Sequence, residues 1–315
     1  MGRPVTQSVG SLGLGRASYY RWRRRTLRPS SRSAPHPRGL TPDELASIDQ
    51  LKAQQPSLRH RQLQGVLQAQ GLYISASRVY QRLKCQGWSQ AYARRPAPWK
   101  EPRYAVWRRN LLWGSDWTRL QIAGLRWYLL TLIDFFSRLL VAHQVVPSVH
   151  AGEVKALYQE GLWAQGLPLH APSKPELRVD RGSPNTSGVT QEFFQTLGAA
   201  LSFARVRRPT DNAITERFYG TIKQEEVYLV GNYPDVVSAR QELGRYIQHY
   251  NTARPHQALW NFTPQVVHDL NDKTELLRRL QQLKQDTLER RRRYWVTRQE
   301  GDSINSPLLS QSEKT

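Results

Sequence analysis

Residues 111–146 read LLWGSDWTRLQIAGLRWYLLTLIDFFSRLLVAHQVV, and this stretch decides the fold. Three β-rich runs, 111–121, 127–134 and 139–146, are divided by Gly124 and by the turn Phe136-Ser137-Arg138. Short apolar runs broken by turn residues predict an antiparallel meander. Downstream the pattern changes. Helical spacing over 151–165, 190–197, 211–228 and 234–250 alternates with strand-like runs at 176–179 and 200–206. Three antiparallel strands followed by alternating helices and strands predict an α/β layer fold.

The segment before the meander reads as helical and basic. Residues 11–25 predict a turn and a helix start carrying Arg21 and Arg23–Arg25, and 30–39 is a Ser/Pro/Arg linker. Thr41-Pro42-Asp43-Glu44 is a helix-start signal: an N-cap hydroxyl, a proline in the first turn, and acids at the positive end of the dipole. A second helix presents Leu58, Leu63, Val66 and Leu67 and stops at Gly71. A third starts near Ser75 and carries Arg78, Gln81, Arg82 and Lys84. Helix, turn, basic helix is how a groove-reading module is built, and equally how a small helical bundle with a polar face is built. Residues 88–105 read as an extended linker. Beyond the core, Leu276, Leu277, Leu280, Leu283 and Leu288 lie at helical spacing before the basic run Arg290–Arg293, and 301–315 reads as disordered.

Composition narrows the partner. The 315 residues hold 46 Lys and Arg against 25 Asp and Glu, a net charge of +21. Such an excess points to a polyanion, nucleic acid above all. The single cysteine, Cys85, excludes an internal disulfide or a cysteine-rich zinc site and reads as a packing residue of its helix. A signal-peptide core and a membrane-length apolar run are both lacking, which predicts a soluble intracellular protein.

Asp180 and Glu216 are the acids with the most informative surroundings. Asp180 closes the apolar run Leu177-Arg178-Val179 and opens the turn Arg181-Gly182-Ser183; Glu216 stands inside Asp211-Asn212-Ala213-Ile214-Thr215-Glu216-Arg217-Phe218. Thirty-five residues lie between them. Asp116 adds a third acid, in Trp113-Gly114-Ser115-Asp116-Trp117-Thr118. Spacing alone is weak, since about two acidic pairs should share any chosen separation by chance. The chemistry is more telling. Carboxylates that converge repel by about 4 kcal/mol per pair at 4 Å in an effective dielectric of 20. Such a cluster calls for cations or raised pKa values. All-oxygen donor sets suit Mg²⁺ or Mn²⁺, and two such ions can drive an in-line displacement at phosphorus.

The blocks Trp113–Thr118, Asp134–Arg138, Asp180-Arg181-Gly182, Asp211…Glu216, Lys223 and Tyr250-Asn251-Thr252-Ala253-Arg254-Pro255-His256-Gln257-Ala258-Leu259 resemble those of insertion-sequence transposases with a retroviral-integrase-type core. The resemblance is closest to second-reading-frame products of bacterial elements that use a frameshift. It implies a ribonuclease-H-like mixed sheet core preceded by a small all-α helix-turn-helix region. It also implies a DDE triad of Asp116, Asp180 and Glu216 as catalytic metal ligands, with Mg²⁺ or Mn²⁺, two ions in number. Lys223 would contact the DNA end, and Arg181 and Asn212 would shape the turn or touch backbone phosphate. Arg78, Arg82 and Lys84 would bind DNA from the helical region. The implied divisions are a basic N-terminal helix and linker (1–39), a helix-turn-helix-like region (40–95), a linker (96–108), an integrase core (109–270) and a basic C-terminal helix with tail (271–315). Implied partners are double-stranded DNA, a second copy of the chain and a protein from the upstream frame, in a bacterial cytoplasm at the nucleoid. The chain departs from the pattern at Arg178-Val179, Pro184-Asn185 and Arg217, none of which is a metal ligand. A nuclease on the same core and a DNA-binding protein without catalysis remain open.

Other acids and histidines have plainer readings. Asp134 reads as the cap of the Phe136-Ser137-Arg138 bend, Asp211 as a helix N-cap, and Glu225 and Glu226 as solvent-facing. His249 and His256 read as structural or DNA-adjacent. The ten tryptophans read mostly as core or packing residues, while Trp88 and Trp99 could stack on bases.

Overall fold

The computed structural model describes residues 39–88, 106–205 and 212–304, with side chains through 298. The expectations for 1–38, 89–105 (Trp99 included), 206–211 (Asp211 included) and 305–315 lie outside the described residues. The chain divides into two compact units, one made of residues up to Gln50 and from Leu283 onward, the other spanning Leu51–Gln282.

The larger unit is built on one sheet. Strands β1 (Leu112–Ile122), β2 (Leu125–Asp134) and β3 (Leu140–Val146) form the meander, and β4 (Glu176–Val179) and β5 (Leu201–Phe203) complete it in the order β3-β2-β1-β4-β5. β1 is antiparallel to β2, with Asp116 opposite Thr131, and parallel to β4, with Gly114 opposite Arg178. β4 and β5 are parallel. This mixed sheet is the ribonuclease-H-like arrangement. The β1–β2 hairpin turns on Ala123 and Gly124, both at positive φ, as a two-residue connection that matches strand twist requires.

Alternation along β1 assigns the two faces. Leu112, Leu120 and Ile122 pack with helices α7 (Ala213–Ile222) and α9 (Val236–Thr252) through Phe218, Tyr219, Ile222, Leu243, Tyr246 and Tyr250. Trp113 faces the other way, onto α4 (Ala151–Ala164) and α6 (Gly188–Leu197) through Tyr158, Leu162 and Phe194. Both faces are thus buried under helices, as a sheet with parallel strands demands. Between these elements lie the short helices α5 (Ser183–Thr186) and α8 (Tyr228–Val230), and α10 (Pro264–Leu270) follows α9.

Asp134 caps the bend as its neighbours suggested. Its Oδ1 accepts from Ser137 N at 2.8 Å and Ser137 Oγ at 2.7 Å, and its Oδ2 from Asn110 N at 2.8 Å. His268 Nδ1 closes on Ser137 Oγ at 2.9 Å, so the fully buried carboxylate is satisfied from several sides.

Helices α2 (His60–Ala69) and α3 (Ala76–Cys85) belong to the same unit as the sheet. Gln68 Nε2 donates to Trp260 O at 2.8 Å, and a Cβ on Gly65 would stand 2.5 Å from Pro255 Cβ, so α2 lies tightly on the 255–261 loop. Leu58 precedes α2, because the helix begins only after the Pro56 turn. Cys85 is exposed rather than packed. The buried stripe of α3 is Val79 and Leu83, and Cys85, two positions past Leu83, turns to the opposite side.

In the smaller unit, α1 (Pro42–Gln54) opens with a reciprocal capping box: Thr41 N donates to Glu44 Oε2 at 3.0 Å and Glu44 N to Thr41 Oγ1 at 3.2 Å. Glu44 also takes the Arg291 Nε at 2.9 Å, with both side chains buried. Arg291 therefore belongs to a structural ion pair and not to an open basic face. Its helix, α11, runs Lys273–Ile304, so residues 301–304 are helical rather than disordered.

Candidate active site

The three acids arrive from three elements. Asp116 is on β1 and, by alternation with Leu112 and Gly114, points to the α7 side of the sheet. Asp180 follows the last residue of β4, one strand over. Glu216 sits in the first turn of α7.

The approach of α7 to β1 is set by small details. A Cβ on Gly114 would stand 2.2 Å from Phe135 Cε1 and 2.7 Å from Thr215 Oγ1, so only glycine lets the turn that carries Glu216 come down here. Tyr219, one turn after Glu216, donates its phenol to the main-chain carbonyl of Asp116 and meets Thr131 Oγ1 at 2.8 Å. Helix and strand are thus fixed to one another at the residue that bears the first acid.

Asp180 is held by its own turn. Its Oδ1 accepts from Gly182 N at 3.0 Å and from Asn185 Nδ2 at 2.7 Å. Gly182 is wedged beside Trp117, whose ring would lie 3.1 Å from any added Cβ. Asn185 is almost fully buried. Glu216, by contrast, is exposed, and its carboxylate makes no hydrogen bond or ion pair among the described residues.

Electrostatics ties the three together. Burial, followed by the charges of Asp180 and Glu216, raises the Asp116 carboxyl to about 6, against opposing effects of the Trp117 amide and the Lys223 ammonium. Asp116 therefore senses both other acids and Lys223 at once. Lys223 is half-buried and lies seven residues beyond Glu216, two helical turns along the same side. Among the described residues no group of three His, Cys, Asp or Glu side chains stands ready to hold a metal ion as placed. The donors fit a hard cation nevertheless. They are all carboxylate oxygens, and the strain recorded in Asp116 is what a bound cation would relieve.

Two further polar atoms here lack partners among the described residues: Asn212 Oδ1 and Thr215 Oγ1, both buried. Asn212 occupies the N-cap position of α7 without a side-chain capping bond. Arg181 is exposed, with its guanidinium 5.6 Å from the Phe203 ring. Arg78, Arg82 and Lys84 lie on α3, outside this cluster; Arg78 and Arg82 are half-buried and already partnered, and Lys84 is exposed.

Two acids are placed differently from their sequence reading, for Glu226 is half-buried and so is Glu225. Glu225 does not face solvent: its carboxylate takes Arg254 Nε at 2.8 Å and Nη2 at 2.7 Å, and the Tyr246 phenol at 2.9 Å. Burial pushes its pKa up, but the Arg254 hydrogen bonds and charge bring it net below the usual range. The cause is a change of helix type, since residues Lys223–Val227 form a π-helical turn that an unbroken α-helix over 211–228 did not foresee. Asn185, Tyr219 and Thr215 were also missed. None carries a motif signal, and their roles depend on contacts across the fold.

Two family models, both described as integrase core domain, match residues 107–209 and 197–264. A protein of insertion element IS136 from Agrobacterium fabrum is 30% identical over 164 residues, which is 50% of this chain and 83% of that one. The transposase of insertion sequence element IS904 from Lactococcus lactis is 30% identical over 155 residues, 48% of this chain and 58% of that one. Among solved structures, the HTLV-2 integrase catalytic core domain in complex with magnesium aligns at a TM-score of 0.40 and 19% identity, over 50% of this chain and 96% of that one. The chain belongs to the family of insertion-sequence transposases with an integrase-type catalytic core. It spans a little over half the length of the Lactococcus transposase that it matches.

Proposed function

We propose that this chain is a DNA transposase that cleaves the ends of an insertion sequence and joins them to target DNA, with a divalent metal as cofactor. The observation that carries this reading is that the charges of Asp180, Glu216 and Lys223 all act on the Asp116 carboxyl, which burial already raises. Asp116, Asp180 and Glu216 would hold Mg²⁺ or Mn²⁺, two ions in the full site. Metal bound there would polarise the scissile phosphodiester and activate water or a 3′-hydroxyl for in-line attack. The chain's own residues do the rest. Tyr219 and the Gly114–Thr215 approach keep α7 seated on β1. Gly182 and Asn185 orient one oxygen of Asp180. Lys223 brings a positive charge beside the acids, where a phosphate of the DNA end would lie.

The net charge of +21 supports a DNA partner, with phosphate contacts from the exposed basic residues of α3 and α11, and binding should fall steeply with salt. Holding two ends together calls for at least a second copy, and a protein of the upstream frame is the proposed partner in recognising the ends. No described helix is long and apolar enough to cross a membrane.

The test is a reaction of labelled DNA carrying the repeats that flank the gene, with Mn²⁺, with and without the upstream-frame protein. Wild type should give cleaved and joined products, and Glu216→Gln neither. Cleavage without joining would make the protein a nuclease. Binding in both proteins with products in neither would leave a DNA-binding protein without catalysis.

A further inference from the structure

We infer that the Glu225–Arg254 pair, closed by Tyr246, is a clamp that fixes the π-helical turn after α7 and so aims Lys223 at the DNA phosphate beside Asp116. This rests on the reading of Lys223 as a phosphate contact. Glu225 and Arg254 are positioning residues: they act through Lys223.

α7 ends at Ile222, and the next five residues, Lys223–Val227, are π-helical, with Tyr228 N–H reaching back to the Lys223 carbonyl. Such turns are rare, appear mostly as single turns inserted in α-helices, and are frequent at functional sites. Something must hold this one. Val227 is buried in the core on one side of the turn. Glu225 supplies the other anchor, through a two-pronged bond to Arg254 and a third bond from Tyr246.

The anchor is stiffer than a surface ion pair. The two side chains are only 20% and 32% exposed, and the fork geometry fixes orientation as well as distance. Arg254 is itself set: its backbone N–H caps the end of α9 on the His249 carbonyl at 2.8 Å, and its guanidinium lies over the Tyr250 ring at 5.9 Å. The block Tyr250–Arg254 thereby acquires a role that its sequence did not disclose. It is the wall against which the π turn is braced.

Direction follows from helix geometry. Glu225 stands two residues past Lys223, so the two side chains leave the helix on roughly opposite sides. Pinning Glu225 towards α9 turns Lys223 away from α9 and towards the carboxylates, where its charge acts on Asp116.

The experiment measures how affinity for a short duplex of the element end depends on salt, using the full chain without metal. One phosphate contact contributes about 0.9 to the slope of log K against log salt. Lys223→Ala should lower the slope by about that amount. Glu225→Gln should lower it equally, and the double variant should fall no further. This is the opposite of bulk electrostatics, in which removing a negative charge tightens binding. Tyr246→Phe, which keeps the ring and loses the third bond, should move the slope the same way by less, and serves if Glu225→Gln does not fold. Thermal unfolding of each variant reports on the fold separately. An unchanged or steeper slope for Glu225→Gln, or losses that add in the double variant, would overturn the clamp. Because the readout is binding, a wild type without joined products sinks the transposase reading and leaves this test standing.

Discussion

The amide of Asn185 donates to Asp180 Oδ1 at 2.7 Å from a side chain that is 1% exposed. It comes from α5, five residues after the acid it orients, so β4 and the following turn form one small device. Replacing it with alanine removes a buried hydrogen bond to a charged group, worth about 1.5–3 kcal/mol. Asn185→Ala should therefore lower the stability of the larger unit by about that amount. Mn²⁺ affinity should weaken as well, because Asp180 loses its fixed rotamer; removing a hydrogen bond that orients a metal ligand costs about 10–100-fold. Calorimetric titration with Mn²⁺ beside urea unfolding checks both. An unchanged Mn²⁺ affinity would remove Asn185 from the site.

Gly114 tests how α7 is seated. A methyl group there would overlap Phe135 and Thr215, and overpacking a tight contact costs about 1–3 kcal/mol. Gly114→Ala should lower the urea midpoint by that measure and reduce product formation further than the stability loss explains, since Glu216 is carried on the displaced turn. Gly152, at the start of α4, is the control: an added Cβ meets nothing within 4 Å. Gly152→Ala should leave stability the same or raise it by up to about 1 kcal/mol. Equal effects at the two sites would refute the close-approach argument.

Why was so much of this fold legible in sequence, and where did legibility stop? The meander could be read because alternation and turn residues are local: Gly124 and the Phe136–Arg138 bend fall where the strands break. β4 was readable for the same reason, as four apolar-patterned residues ending at Asp180. The acids stood out through their neighbours. What was hidden depends on contacts between distant segments. Glu225 looked solvent-facing because it lies more than two turns from Glu216 along the helix, and its contact with Arg254, 29 residues on, has no local signal. Tyr219 carries no motif signal, yet its hydroxyl reaches a carbonyl 103 residues away. Arg291 looked like part of a basic face, and a partner 247 residues distant removes it.

His256 offers a pH test away from the acids. Burial lowers its pKa from 6.5 to about 3, helped by the charges of Arg254 and Arg138 and opposed by a hydrogen bond that the ring donates to the Tyr250 backbone and by the charge of Glu225. A depressed histidine contributes stability that is present above its unfolded pKa and is lost as pH falls towards the folded one. The window is thus pH 6.5 down to about 3. By pH 4.5 the loss should be on the order of 2–3 kcal/mol. His256→Phe keeps a ring against Tyr250, now 4.5 Å away, and should flatten unfolding stability across that window. If wild type and variant lose stability in parallel between pH 6.5 and 4.5, another group governs the acid limb.

Asp116 titrates with the opposite sign. Its carboxyl is raised from 3.8 to about 6, so the folded chain binds this proton more tightly than the unfolded chain does. The corresponding stability is fully present below about pH 3.8 and is lost as pH rises through about 6. Metal-free wild type should therefore carry a penalty at pH 7.5 that Asp116→Asn, neutral at every pH, does not. In EDTA the variant should be more stable at pH 7.5 by on the order of 1–3 kcal/mol and indistinguishable at pH 4. Adding Mn²⁺ should reverse the ranking at pH 7.5, because the ion binds wild-type carboxylates and stabilises the state that holds them. Urea midpoints at the two pH values, each with EDTA and with Mn²⁺, separate these expectations. A variant gain that is the same at pH 4 as at pH 7.5 would mean that Asp116 is not strained by its neighbours. A wild type indifferent to Mn²⁺ would mean that the strain has some use other than holding a cation.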